Sequence, residues 1–194
     1  MEQNLSLVFP LALGIGLAAA TGFRIFLPLL VMGLGVREGY VPVSDGFAWV
    51  ATTPALIMLA VAAITEIAAY YIPLLDNVLD HIAGPVAIGA GILVSAAVMG
   101  GYDPMLKWTL AIIAGGGAAA ATQSTTTALR GTSTVLTAGL GNHAIATGEI
   151  AGALATSVLA IAFPYVAAVL VLLLIWLAWR LILKFRQRHK TEQR

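Results

Sequence analysis

The chain has 194 residues, 60% of them hydrophobic and 10% charged, with a mean hydropathy of +0.95, whereas soluble domains are near half apolar and about a quarter charged. This excludes a water-soluble enzyme or binding module as well as disorder, and it leaves a multi-pass membrane protein. The net charge of +1 conceals a net-negative body, with four basic and eight acidic side chains in residues 1–179, and a tail at 180–194 with six basic and one acidic.

A helix needs about 20 mostly apolar residues to cross a hydrocarbon layer of about 30 Å. Residues 5–35 carry one charge, Arg24, and are predicted to form helix one. At 1.5 Å per residue it would be about 46 Å long, and Pro10, Gly22 and Pro28 predict that it is broken or kinked. Helix two is predicted over 47–72, opened by Thr52, Thr53 and Pro54 and carrying Glu66. Gly84 and Pro85 read as a helix start, so helix three is expected over 85–99. After the turn Gly100–Pro104, helix four is expected over 105–122. Residues 123–142 are too polar for a lipid-facing span and too turn-poor for a loop, which predicts a short half-helix or re-entrant segment packed inside the protein. Helix five follows over 144–163, and Pro164 opens helix six, which runs to about Arg180.

The expected architecture is therefore an all-α polytopic membrane protein. It has about six transmembrane helices in two three-helix halves, with broken or re-entrant segments near 10–35 and 113–141. Residues 1–179 form one transmembrane domain, with halves at about 5–102 and 103–179, and 180–194 is a basic tail. Positive charge prefers the cytoplasmic side. With six crossings, both termini are then expected there, in a bacterial inner membrane. No cleavable signal peptide is expected, since the first residues are polar and acidic.

Three helices per half would make homologous halves inverted copies. AAATGFR at 18–24 and AAATQSTTTALR at 119–130 align Arg24 with Arg130 after one gap, and the same register aligns Gly33-Leu34-Gly35 with Gly139-Leu140-Gly141. TEIAA at 65–69 resembles TGEIAG at 147–152. Chance recurrence in so biased a composition competes with this repeat.

Charges within apolar helices cost about 2.5–3.5 kcal/mol and are expected to face a cavity or a partner. Arg24, Glu66, Arg130 and Glu149 are the four such residues. They are expected to form ion pairs or a polar cluster between the halves; the competing expectation is that they merely pin helices together. Around Arg130, hydroxyls at 124, 125, 126, 127, 132, 133, 134 and 137 could help bind an anion or could bond back to helix carbonyls. The candidate substrate-binding set is Arg24, Glu66, Ser124, Thr126, Arg130, Thr134, Asn142 and Glu149. Glu66, Tyr70, Pro73, Asn77 and Asp80 recur at steps of three or four, so a continuing helix would line them up as an acidic stripe. Asp76, Asp80 and His81 are accordingly candidates for an ion path, or for a solvated helix start. No catalytic residue, metal site or cofactor is expected: Cys is absent and no two His share metal-ligand spacing. Gly115–Gly117 lacks the Lys-Ser or Lys-Thr of a nucleotide loop and reads as close packing.

ATGFRIFLPLL at 20–30, the Glu66, Pro73, Asp76, Asp80 spacing, the three glycines ahead of Arg130, and GLGN followed by Glu149 resemble a family of small bacterial inner-membrane proteins described only as domain of unknown function 4126. The likeness covers nearly the whole chain and implies no activity. Tyr70 after Glu66, and Gly148 and Ile150 around Glu149, stand where members of that family are often acidic, which argues against a dedicated cation site. The paired Glu-bearing helices are also loosely similar to small cation exchangers built from two inverted three-helix repeats. The leading expectation is a small secondary transporter or channel for a solute or ion, with the lipid bilayer as surroundings, no nucleic-acid partner, and a homo-oligomer compatible with it. The alternatives are a membrane-embedded enzyme acting on lipid-linked substrates through Asp76, Asp80 and His81, and a structural or assembly protein.

Overall fold

The computed structural model describes the backbone of residues 2–192 and the side chains of residues 7–72, 79, 82–177, 179 and 180. The secondary structure is all helical. Helices α1 (Glu2–Thr21) and α2 (Phe26–Arg37) are followed by a 3-10 segment (Asp45–Ala51), α3 (Thr53–Ala69) and α4 (Pro73–Val98). Helix α5 (Pro104–Leu110), a π segment (Ala111–Gly116) and α6 (Gly117–Thr137) run on without a break, and α7 (Asn142–Ala162) and α8 (Pro164–Glu192) complete the chain.

Local chemistry accounts for most boundaries. Prolines stand in the first turns of α3, α4 and α5, where a missing N–H costs nothing. The Asp103 carboxylate accepts from the amides of Met105 and Leu106 at 2.9 and 3.3 Å, an N-terminal cap for α5. α6 stops where Ala138 takes φ 51° and Gly139 φ 85°, a left-handed exit that glycine allows and alanine tolerates poorly.

The sequence predicts one long kinked helix over 5–35. The chain instead turns back on itself at Gly22–Ile25. Gly16 of α1 packs on Ala160 of α7, Gly152 of α7 meets Phe23, and Gly35 of α2 is again beside Ile161 of α7. α1 descends α7 and α2 climbs it, so the two form an antiparallel hairpin. This is the break anticipated near 10–35. α8 runs parallel to α1: Tyr165 meets the Phe9 ring, Ala167 meets Gly16, and Val171 clusters with Ala18 and Ala19. The N-terminal end of α1 and the C-terminal end of α8 therefore lie at opposite ends of the bundle, in contrast to the shared side that six crossings imply.

Three other boundaries differ from expectation. Residues 47–72 divide into the 3-10 segment and α3, bent by 68°. α4 begins at Pro73 and runs straight through Pro85, which forfeits one backbone hydrogen bond but is tolerated in a packed bundle. Residues 123–142, expected to be a short half-helix or re-entrant segment, are instead the last part of a continuous 34-residue helix that ends at Thr137, followed by the turn into α7. Near 113–141 the irregularities are the π segment and the turn after Thr137.

Pro104–Thr137 and Asn142–Ala162 are long and apolar enough to cross a membrane, and the bent pair Asp45–Ala51 and Thr53–Ala69 makes a third span if taken together. Among the described residues, length and composition thus give two or three candidate spans rather than six. These apolar helices fit a membrane protein in contact with lipid. The main core joins Leu13 and Leu17 of α1, Met32 of α2, Val94 and Val98 of α4, Ala160 of α7 and Ala167 of α8. Small residues let helices approach there. A Cβ on Gly115 would lie 2.8 Å from the Gly91 carbonyl oxygen and closer still to Ser95, so Gly115 serves close packing, whereas a Cβ on Gly117 would meet nothing within 4 Å.

Candidate functional site: a buried charge cluster at the hairpin turn

The reversal between α1 and α2 places Arg24 outside any helix yet 1% exposed. The Arg24 backbone N–H still donates to Ala20 O at 3.3 Å, so the side chain leaves from the C-terminal end of α1, where the helix dipole favours a cation. Its Nη2 donates to Ala146 O at 3.1 Å and lies 3.0 Å from Glu149 Oε2. Ala146 and Glu149 are three residues apart on α7 and share a face.

Glu149, 5% exposed, is held from a second side by Arg130 of α6. Arg130 Nε donates to Glu149 Oε1 at 2.8 Å, and Arg130 Nη2 donates to Oε2. This is the two-pronged guanidinium–carboxylate geometry that fixes orientation as well as charge. One carboxylate therefore serves two guanidiniums. Both also stack on one ring: the guanidinium carbons of Arg24 and Arg130 lie 3.8 and 4.3 Å from the Tyr70 centroid, within cation–π range.

Glu66 lies near the others but does different work. Its Oε1 accepts from Ile25 N at 2.8 Å and its Oε2 from Phe26 N at 3.0 Å. These are amides that the first turn of α2 cannot satisfy internally, so the carboxylate caps the hairpin's returning helix. Glu66 and Tyr70 are four residues apart on α3, which delivers cap and ring to the same place.

The cluster is not fully satisfied. Arg24 Nε and Nη1 are buried with no hydrogen-bond partner. Leaving a buried charged donor unpaired costs more than leaving a neutral one, so such atoms call for an explanation in a native structure.

Of the residues singled out from sequence, Arg24, Arg130 and Glu149 converge, with Glu66 beside them. The hydroxyls do not ring Arg130. Thr126 is buried but its hydroxyl donates to Gln123 O, and Thr134 donates to Arg130 O while accepting from Asn142 Nδ2 at 3.1 Å. Thr125, Thr132 and Thr137 likewise bond back to α6 carbonyls, and Ser124 is exposed. Asn142 Oδ1 is buried without a hydrogen-bond partner, at the N-terminal end of α7. The expected acidic stripe is not one helical face: α3 ends at Ala69, a turn follows, and α4 starts at Pro73. The side chains of Asp76, Asp80 and His81 lie outside the described residues. Reasoning from sequence did not give Tyr70 a place in the site; its four-residue spacing from Glu66 was the available signal.

The proposed repeat pairs unlike local structures. Arg24 sits in a turn and Arg130 in a helix, whereas Gly33 lies within α2 and Gly139 in a turn.

No curated protein and no solved structure matches the chain. A family model does, over residues 11–184, and it is described as Domain of unknown function (DUF4126). A match across nearly the whole helical bundle, including Arg24, Glu66, Arg130 and Glu149, shows that the chain belongs to the DUF4126 family.

Proposed function

We propose that this protein is a small secondary transporter or channel that carries a small anionic solute across the inner membrane. Its binding site is Arg24, backed by Glu149, Arg130 and Tyr70. One observation carries this reading: Arg24 keeps two donor nitrogens unpaired while 1% exposed. A residue serving only to pin helices together would be expected to spend its donors on them. Among the described residues Glu149 is shared between the two guanidiniums and the Glu66 charge is committed to the positive end of α2, so a monoanion would find its free donors on Arg24. A site at a helix break inside a bundle is also how many transporters present helix ends to solute. The reading does not require the two halves to be copies.

In the orientation that goes with it, the basic end of α8 and the turns beside the cluster face the cytoplasm, and the α1 N-terminal end faces the periplasm. The test is reconstitution into liposomes with acetate, chloride and phosphate gradients tried in turn. At least one anion is expected to flow, and Arg24→Gln is expected to slow that flow by tenfold or more while the variant still purifies as a folded protein. Flux of none of the three, or flux indifferent to Arg24→Gln, overturns the proposal.

A further inference from the structure

α3 and α4 are joined by the short Tyr70–Ile72 turn, and a gap opens between their described residues. The gap between them is an open cavity of about 410 Å³, floored by Phe26 at the start of α2 and walled by Ala62, Glu66 and Tyr70 of α3 and by Ile82 and Val86 of α4. Its walls are overwhelmingly apolar, and Ile82 and Val86 are half-exposed on the outside of the bundle, so in a membrane the cavity opens sideways into the acyl chains. The cleft and the charge cluster share a wall. Tyr70 lines the cavity, and the same ring carries both guanidiniums.

We propose that the ligand is an amphiphile with a single carboxylate, of the fatty-acid class, that enters from the bilayer between α3 and α4. Its apolar part occupies the cleft, and its carboxylate meets Arg24 Nε and Nη1 once Tyr70 turns aside. Two independent observations meet in this assignment: an apolar cavity open to lipid and, across one side chain from it, a buried guanidinium that keeps two nitrogens without a hydrogen-bond partner. An inorganic anion has no use for the apolar cleft, and a neutral apolar ligand has none for Arg24. Ligand sites of this kind combine apolar walls with few, placed polar groups. The inference rests on the anion-binding reading above and goes further by naming the solute's chemistry and route.

The experiment uses the full chain in phosphatidylcholine nanodiscs with a diazirine-bearing dodecanoic acid and the matching diazirine alcohol, the cross-linked peptides being located by mass spectrometry. The acid is expected to label α3 and α4 around Ala62 and Val86 about tenfold more than the alcohol, the factor that a charge-assisted hydrogen bond supplies. Unlabelled dodecanoate should compete and dodecanol should not. Arg24→Gln should bring the acid down to the alcohol's level. Ala62→Trp, which fills the cleft from its lipid-facing wall, should suppress labelling by both and keeps the test decisive if the arginine variant does not fold. Equal labelling by acid and alcohol overturns the inference, and so does labelling outside the cleft. Suppression of acid labelling in nanodiscs rich in phosphatidylglycerol would transfer the site to an anionic phospholipid and equally overturn it. Arg24-dependent acetate flux accompanied by equal acid and alcohol labelling would sink this inference alone and leave the anion-transport reading standing.

Discussion

The carboxylate of Glu66 receives the amide of Phe26 at 3.0 Å and that of Ile25 at 2.8 Å, so a side chain at the end of α3 holds the first turn of a helix that comes forty residues earlier in the chain. Caps of this kind contribute about 1 kcal/mol when neutral and exposed, and buried charge-assisted ones contribute about 1.5–3 kcal/mol. Glu66→Ala is expected to lower the thermal unfolding midpoint and to speed hydrogen exchange at the amides of residues 25–27, and Glu66→Gln, which keeps one acceptor, to lose about half as much. Unchanged exchange at 25–27 in Glu66→Ala would show that α2 needs no cap from α3.

Glu149 is the shared partner, so its loss should cost more than the loss of either arginine. Removing one member of a buried pair typically costs about 3–5 kcal/mol because a buried charge is left alone. Glu149→Gln deprives both guanidiniums of the carboxylate they share, whereas Arg130→Gln leaves Arg24 still paired with it at 3.0 Å. The stability order expected from denaturation in detergent is wild type, then Arg130→Gln, then Glu149→Gln. Replacing Arg130 and Glu149 together by Met and Leu still leaves Arg24 without its carboxylate, so the double variant should lose less than the sum of the two single losses without returning to wild-type stability, and should show none of the flux. An additive double variant would mean that the two residues do not interact.

Gly22 is where the hairpin turn presses on α6. A Cβ there would sit 2.5 Å from Ala119 O and 2.6 Å from Thr122 Cβ, while one on Gly117, a few residues away on the same helix, would meet nothing within 4 Å. Gly22→Ala should therefore destabilise by about 1–3 kcal/mol, as overpacking does, and Gly117→Ala should be neutral or stabilising by up to about 1 kcal/mol. Equal melting temperatures for the two variants would contradict the packing of turn against helix.

Topology can be read with single cysteines, since the native chain has none. Tyr40 is 73% exposed in the turn after α2, and Leu140 is 82% exposed in the turn between α6 and α7. Tyr40→Cys should react with a membrane-impermeant maleimide added to intact spheroplasts, and Leu140→Cys only after the membrane is opened. Reaction of both from the same side would overturn the antiparallel path described for α1 and α2.

The four charged residues of the cluster were legible because an ion inside apolar sequence is costly wherever the helix goes, so it points to a partner before any fold is known. The pairing was less legible. Glu66 and Glu149 look equivalent in sequence, and only the reversal at Gly22–Ile25 presents bare amides to one and guanidiniums to the other. That reversal has a weak local signature: Gly22 and Pro28 announce a kink and a full turn equally well. Residues 123–137 misled in the opposite direction. Their hydroxyls suggested irregular backbone, but Thr and Ser satisfy themselves on carbonyls one turn back, which lets a polar sequence remain an unbroken helix.

The position of Glu149 along α7 has an electrical meaning. It lies seven residues from Asn142 and thirteen from Ala162, or about 10 Å from one end of that helix and about 20 Å from the other. If α7 spans the field, a monoanion on Arg24 sits roughly a third of the way through the membrane potential from the end that carries the α6–α7 turn. It would then feel about 0.8 kcal/mol per 100 mV, a third of the full drop for one charge. Occupancy of the cluster would change about fourfold across that voltage, so the resting potential of the cell would itself set how often the arginine is filled.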